Sequence, residues 1–591
     1  MKANSKKTKQ SKKATRRVLA GVLCGASVLS LVLSLVMPPI SQAIANDAQA
    51  GAAEETVMGD SSSEPTDVDN TANGDTENQN SDDAEADETG DDALGTPPLS
   101  DGTDLEGAEQ PADDSNSDEN AIALASVNAK GYTEIQGNVT DKFNNGGNYC
   151  LTGDAWSSAP ITISHDTTID LACYKLYYNS GNSDVNGQDC SFITVSRDAT
   201  LTVEGAAEDI PVEAVSNEPG QTAEMQWIEN TPQSLTYFVT ESTPSGFGTS
   251  EKTYKHTVTK FGAIVACKKG YVNQVISVAD GCTLNLKGGM ITTPRTLGNN
   301  GHVIFSRGAV NIFGGYVTNG FGGGWGGGLC MAAGSLNMTG GVIAANKAAS
   351  GGGIFADSGV TLDLSGGFIS GNATDPVSVG SGDTADTGGY GGGVYTKGAT
   401  VTISGSANIT NNRVEAQVTN KDIYNNGLLG GGGIASTSSD NKKGSLTMTD
   451  GSVTANYSKE AGGGIYAGFW NRAITFTMTG GTIAGNKSAN AEGGGLRIST
   501  GTTGDIGTRP GTSSKIYITN NKTMTGESRG GDWGGGGVFI QKGGRLNIFK
   551  TLITNNRAGG WGGGVGACPT GETIVSHSNG AAIYDNTDNV D

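Results

Sequence analysis

A short sentence of residues that opens on three glycines recurs through the second half of this 591-residue chain, and it restricts the fold more than any other feature. GGGIF at 351–355 leads to VTLDLSGG at 360–367 and FISGN at 368–372. The same order runs through GGGVY (391–395), VTISG (401–405) and ANITNN (407–412), then through GGGIY (462–466), FTMTGG (476–481) and TIAGN (482–486). Further copies open at 326, 431, 493, 535 and 562. Repetition of this kind marks a stack of small units, none of which buries its apolar face alone. Glycine reaches 94 residues, but no G-x-y period runs through them, which excludes a collagen helix.

Each copy holds three apolar pieces that alternate with period two. In VTLDLSGG, Leu362 and Leu364 share one face while Thr361 and Asp363 take the other. Equivalent inward pairs are expected at Leu336/Met338, Val401/Ile403, Leu446/Met448, Phe476/Met478, Ile516/Ile518 and Leu546/Ile548. No window has a helical period, so these pieces read as strands. The shortest copy runs 25 residues, from Leu329 to Ile354. That length suits one coil of three strands and three corners, each strand pairing with its copy in the next coil at about 4.8 Å. The expected fold is all-β, a right-handed parallel β-helix.

An asparagine closes the third piece of each copy: Asn346, Asn372, Asn412, Asn456, Asn486, Asn521 and Asn556. Asparagine tolerates the left-handed backbone of a tight corner, and its amide can bond the same amide in the next coil. These seven read as a structural ladder rather than as ligands. The paired GG[GAI]I and [FI]xxN motifs resemble the repeats of polymorphic outer-membrane proteins and related autotransporter passengers over residues 280–570. That resemblance implies a pectate-lyase-like solenoid with the role of a surface adhesin. The chain departs from the family pattern in having mostly Ile or Val where the family favours Phe, and no membrane barrel follows the repeats. With its basic amino terminus and acidic spacer, it is more similar to the adhesin-like secreted proteins of Gram-positive bacteria.

The first seventeen residues carry eight Lys/Arg and no acid, and an apolar run extends from Val18 to Met37. Residues 1–45 therefore read as a secretory signal peptide, with an uncleaved membrane anchor as the rival. Residues 46–125 form an acidic linker, expected to be disordered: 46–120 hold 24 Asp/Glu and no Lys, Arg, Phe, Trp or Tyr. Setting aside those acids and the eight amino-terminal bases reduces the net charge from −22 to −6 over 121–591. No basic stripe remains, so nucleic acid is not an expected partner. Residues 126–282 read as an irregular start to the β-helix, with an inserted hairpin or flap at 206–260. Residues 283–591 read as regular coils, expected to be cut short at the carboxy terminus.

The sequence favours binding over catalysis. The acids of the coils (Asp357, Asp363, Asp375, Asp422, Asp450, Glu460, Glu492) are scattered, and no pair recurs on consecutive rungs as polysaccharide chemistry or calcium would need. No catalytic, metal or cofactor residue is assigned. Glu492 and Arg497 flank one glycine corner and read as a surface ion pair. Cysteines at 150, 173, 190, 267 and 282 allow one or two bridges in an oxidising compartment. Loops of unequal length before the triple glycine, such as 373–390, are expected to project from one edge, a second corner after it expands at 467–475, and loops held on a rigid scaffold are where function is expected. Phe469 and Trp470 are the candidate binding residues there, placed to stack on a sugar or a partner protein. The expected function is a secreted or surface protein that binds glycans or proteins of host or neighbouring cells. A polysaccharide lyase or glycoside hydrolase on the same scaffold is the first alternative, and a structural spacer is the second.

Overall fold

The computed structural model describes residues 128–178, 191–214, 234–246, 248–266, 273–293, 301–322, 324–374, 378–379, 388–418, 429–469, 472–507, 515–524 and 534–589. Residues 1–45 and 46–125, expected from the sequence to be a signal peptide and an acidic linker, lie outside these residues. The described chain winds as a parallel β-helix. The pieces that follow the glycine corners stack into a 12-stranded sheet, from Ile161–Ile163 to Val565–Ala567. The other two pieces of each coil lie in a 24-stranded sheet, and a short fourth face of six two-residue strands follows the asparagines.

Register explains why the repeat tolerates variable loops. Leu329, Ile354, Val394, Ile434, Ile465, Leu496 and Val538 pair rung on rung, although the chain between them differs in length. A second inward column runs through Leu336, Leu362, Val401, Leu446 and Phe476. A third runs through Ile343, Ile369, Ile409, Val453, Ile483, Ile518 and Ile553. All three columns meet in one continuous core. Each such side chain contributes about 1.5–3 kcal/mol by leaving water.

The triple glycine has separable causes. Gly351 has φ +64°, which disfavours any side chain. At Gly352 and Gly353 the obstacle is the neighbouring coil, whose carbonyl oxygens lie 2.2 Å (Ala373) and 2.7 Å (Gly393) from where a Cβ would stand.

The ladder asparagines point inward, and each side chain bridges coils. Asn372 Nδ2 donates to Asn412 Oδ1 at 3.0 Å and to the Ile343 carbonyl at 2.9 Å. Its Oδ1 accepts from the Asn346 amide nitrogen and Nδ2. The same pattern continues through Asn412, Asn456, Asn486, Asn521 and Asn556 to Asn586, an eighth member. The expectation that these residues themselves take the left-handed conformation is corrected. The left-handed residue is the one before: Ala345, Gly371, Asn411, Ala455, Gly485, Asn520 and Asn555 have φ between 53° and 65°. The corner turns there, which frees the next side chain to aim inward.

A second correction concerns Ile516/Ile518. Both are buried, but they pair with Gly481–Ala484 and Leu552–Thr554, in the third piece of the coil. The rung in register with Phe476/Met478 is Gly504/Ile506. A Cβ on Gly504 would lie 2.8 Å from Leu546 Cδ1 and 3.3 Å from Phe476 Cδ1, so those neighbours fill the missing side chain's space.

Between Ala206 and Phe261 the chain leaves the coils. Glu208–Ala214, Leu235–Ser245 and Gly248–Thr259 form an antiparallel sheet with the last strand in the middle, here called the flap. Cys150, Cys173, Cys282, Cys330 and Cys568 are free thiols, and Cys190 and Cys267 fall outside the described residues.

Candidate functional site

In a single-layered coil the middle residue of each strand after the glycine corner faces outward. Phe305, Cys330, Phe355, Tyr395, Ala435, Tyr466, Arg497 and Phe539 occupy that column on successive rungs. Several of them join a second apolar cluster with Tyr390, Leu429, Ala461 and Phe469 from the loops. The loops thus fold back over this face. Phe469 is only 6% exposed and meets Tyr390 edge to face at 5.5 Å, so it packs instead of offering a ring to a ligand. Trp470 lies outside the described residues. Glu492 and Arg497 are neighbours, but not at the surface. Arg497 is 1% exposed, donates Nη1 to the Tyr466 hydroxyl at 2.7 Å, and holds Nη2 3.8 Å from Glu492 Oε2. Its guanidinium lies over the Tyr466 ring, 5.0 Å from the centroid.

The flap creates the open site. Its inner strand runs along the outward residues of the third piece, with Tyr237 and Val239 packed among Met290, Tyr316 and Val342. Polar side chains of the coils satisfy the strand's free edge. Asn408 Nδ2 and Thr454 Oγ1 donate to the Thr240 carbonyl at 3.0 and 2.8 Å, and Thr240 N–H donates to Thr410 Oγ1. Asn411 and Asn520, both in the left-handed corner conformation, reach up to Phe238 and to Glu251.

Between this strand and the coils lies a groove of about 710 Å³. Gly314, Gly340, Gly367, Ser406 and Ser452 line it from five successive coils. Four coil spacings give a length of roughly 19 Å. The opposite wall is Tyr237, Glu241, Ser242 and Thr243. Of the rings in the lining, Tyr237 and Tyr316 are buried and Phe368 is half-buried, with Tyr316 on the first of the five coils.

Asp209 anchors the flap at that end. Its Oδ2 accepts from the Tyr237 hydroxyl at 2.6 Å and the Tyr316 hydroxyl at 3.3 Å, and its Oδ1 lies 3.1 Å from His256 Nδ1. Burial pushes the Asp209 carboxyl up, but the hydrogen bonds from His256 and Tyr237 and the His256 charge outweigh it and hold the pKa below the ordinary value. Burial, reinforced by Asp209, raises both tyrosines above their usual range. Tyr237 and Tyr316 are therefore donors to a carboxylate, not bases.

Sequence reasoning missed this groove. Its signal was the aromatic residues of the flap and the outward apolar positions Tyr316 and Phe368, which would be out of place on an uncovered face. Among the described residues no three His, Cys, Asp or Glu side chains converge as metal ligands, and no helix is long and apolar enough to cross a membrane. No protein-family model, curated protein or solved structure matches this chain.

Proposed function

We propose that this chain is a secreted or cell-surface adhesin-like protein that binds an extended glycan in the groove between flap and coils. The observation that carries the reading is the groove's form. It is a slot spanning five coils, with a floor of half-buried backbone at Gly314, Gly340 and Gly367, hydroxyl groups along both walls and the half-buried Phe368 ring among them. Sugars offer apolar faces to an aromatic ring and hydroxyls to such walls, and few other ligands use both along so narrow a track. The export half of the proposal rests on the basic amino terminus, its apolar run and the acidic linker.

Geometry weighs against hydrolysis by the groove's own carboxylates. Asp209 pairs across the flap with Val258, which pairs with Leu235, and Glu241 lies six residues further along that strand. At about 3.4 Å per residue the two are roughly 20 Å apart along the strand. A glycosidase pair spans about 5–9.5 Å. Asp209 is also held ionised by its donors, which denies it a general-acid role.

A glycan-array screen followed by titration calorimetry tests the reading. Oligosaccharides longer than a disaccharide are expected to bind, and Phe368→Leu, which keeps an apolar side chain but removes the ring face, to weaken them roughly tenfold while the melting temperature stays within a few degrees. Absence of glycan binding, or undiminished binding by the Phe368 variant, overturns it.

A further inference from the structure

We infer that the groove selects chains of free amino sugars over uncharged and acidic ones, an inference that rests on the glycan reading above. The groove is lined by two carboxylates and by no lysine or arginine among the described residues. Asp209 is saturated by its three donors. Glu241 is different: it is exposed on the groove wall, and no hydrogen bond or ion pair to it is found among the described residues. Its cross-strand neighbour Lys252 does not neutralise it, because that ammonium turns to Glu213 at 3.4 Å. Within the described residues of 206–260, five Asp/Glu (Glu208, Asp209, Glu213, Glu241, Glu251) stand against three Lys (Lys252, Lys255, Lys260).

A carboxylate with no paired cation repels a uronate or sulfate group placed beside it and attracts an ammonium. Glu241 sits beside Ser242 and Thr243, so one sugar can pair its 2-amino group with the carboxylate while its hydroxyls meet the neighbouring side chains. An oligolysine carries the same charge, but its flexible chain offers neither the ring faces nor the hydroxyls that the rest of the slot is built to meet. The interaction is solvent-exposed, so its effect is modest and salt-sensitive.

The test is calorimetry on the full-length protein at about pH 6, chosen to protonate the sugar amine. The probes are a glucosamine hexamer, its fully N-acetylated counterpart, a galacturonate hexamer and a lysine hexamer. The expected order is amine, then acetylated, then uronate, with the amine favoured about threefold to fivefold and that margin closing in high salt. Glu241→Gln is expected to bring the amine down to the acetylated oligomer while leaving the acetylated one unchanged. Equal affinity for the amine and acetylated forms, or preference for the uronate, overturns the charge selection and leaves the glycan reading standing. Tightest binding of the lysine hexamer overturns it in favour of a basic protein partner. Failure of every sugar to bind overturns the glycan reading itself.

Discussion

Asn486 shows how much one corner side chain does. Its Oδ1 accepts from the Asn456 backbone and side-chain nitrogens at 2.9 and 3.0 Å, and its Nδ2 donates to Val453 O and Asn521 Oδ1, both at 2.9 Å. Leucine fills similar volume but leaves the buried Asn456 N–H without its acceptor. Asn486→Leu should therefore cost about 2–5 kcal/mol, more than a solvent-exposed amide would, measured by urea unfolding. Aspartate separates shape from charge. It keeps the acceptor but sets a second carboxylate oxygen against Val453 O and Asn521 Oδ1, so its folded pKa must rise above the unfolded value near 3.9. A raised carboxyl pKa means that the protein is least destabilised below pH 4 and loses stability as pH climbs past the unfolded value. Asn486→Asp is expected to melt close to wild type at about pH 4 and well below it at about pH 7. A pH-independent deficit would show that the carboxyl reaches water. The recurrence of asparagine was legible in the sequence, but its geometry was not. Spacing alone cannot separate the residue that turns the chain from the one that uses the turn, and here they are Gly485 and Asn486.

At the scale of elements, the loops and the flap behave differently because they cover different surfaces. The loop before the triple glycine at 391 ends in Tyr390, which is 1% exposed and stacks on Tyr395 at 5.3 Å. Deleting 375–387 while keeping Tyr390 leaves that packing in place, and the coil before it already closes its corner with residues 347–350. The variant should melt within a few degrees of wild type and bind glycan unchanged, as the groove is lined from other corners. Unfolding would mean that the pairing of Ser378–Val379 with Gln417–Val418 is structurally required. The flap is held at one end through Asp209, whose depressed pKa sets a sign: the contribution is present above the unfolded carboxyl value and lost as pH falls through the folded one. Hydrogen-exchange protection in Leu235–Ser245, measured relative to the intrinsic rate at each pH, should fall below about pH 4, and Asp209→Asn should remove that step. Period-two alternation announced the inward columns of these elements. It gave no warning that the outward column at Tyr466 and Arg497 is covered, because burial by a loop leaves no period. The register at Ile516 misled for a related reason: Gly504 puts no apolar residue at its inward position, whose space Leu546 and Phe476 fill, and the better-looking alternation lies one strand later.

Across the whole molecule, the β-helix and the flap are separable, because the coil closes without the flap. Gly262 N–H donates to the Ala206 carbonyl at 3.0 Å, so the entry and exit of the insertion already touch within one coil. Replacing 207–260 by a two-glycine turn asks nothing new of the coil path, and the core columns at Leu284, Leu286 and Ile291 keep their partners above and below. What the excision exposes is the outward row Met290, Tyr316, Val342 and Phe368, which the flap shields. A contiguous apolar strip of that kind on a flat parallel sheet drives association. The excised protein should retain β-sheet circular dichroism and cooperative unfolding, lose glycan binding at least tenfold, and self-associate in sedimentation velocity at concentrations where the parent is monodisperse. Changing Tyr316 and Phe368 to Ser in the excised background should restore a single species without restoring binding. If excision unfolds the chain, the flap is part of the folding unit and the groove is a by-product of packing. If the excised protein binds as the parent does, the ligand track lies elsewhere on the coils and the groove loses its role.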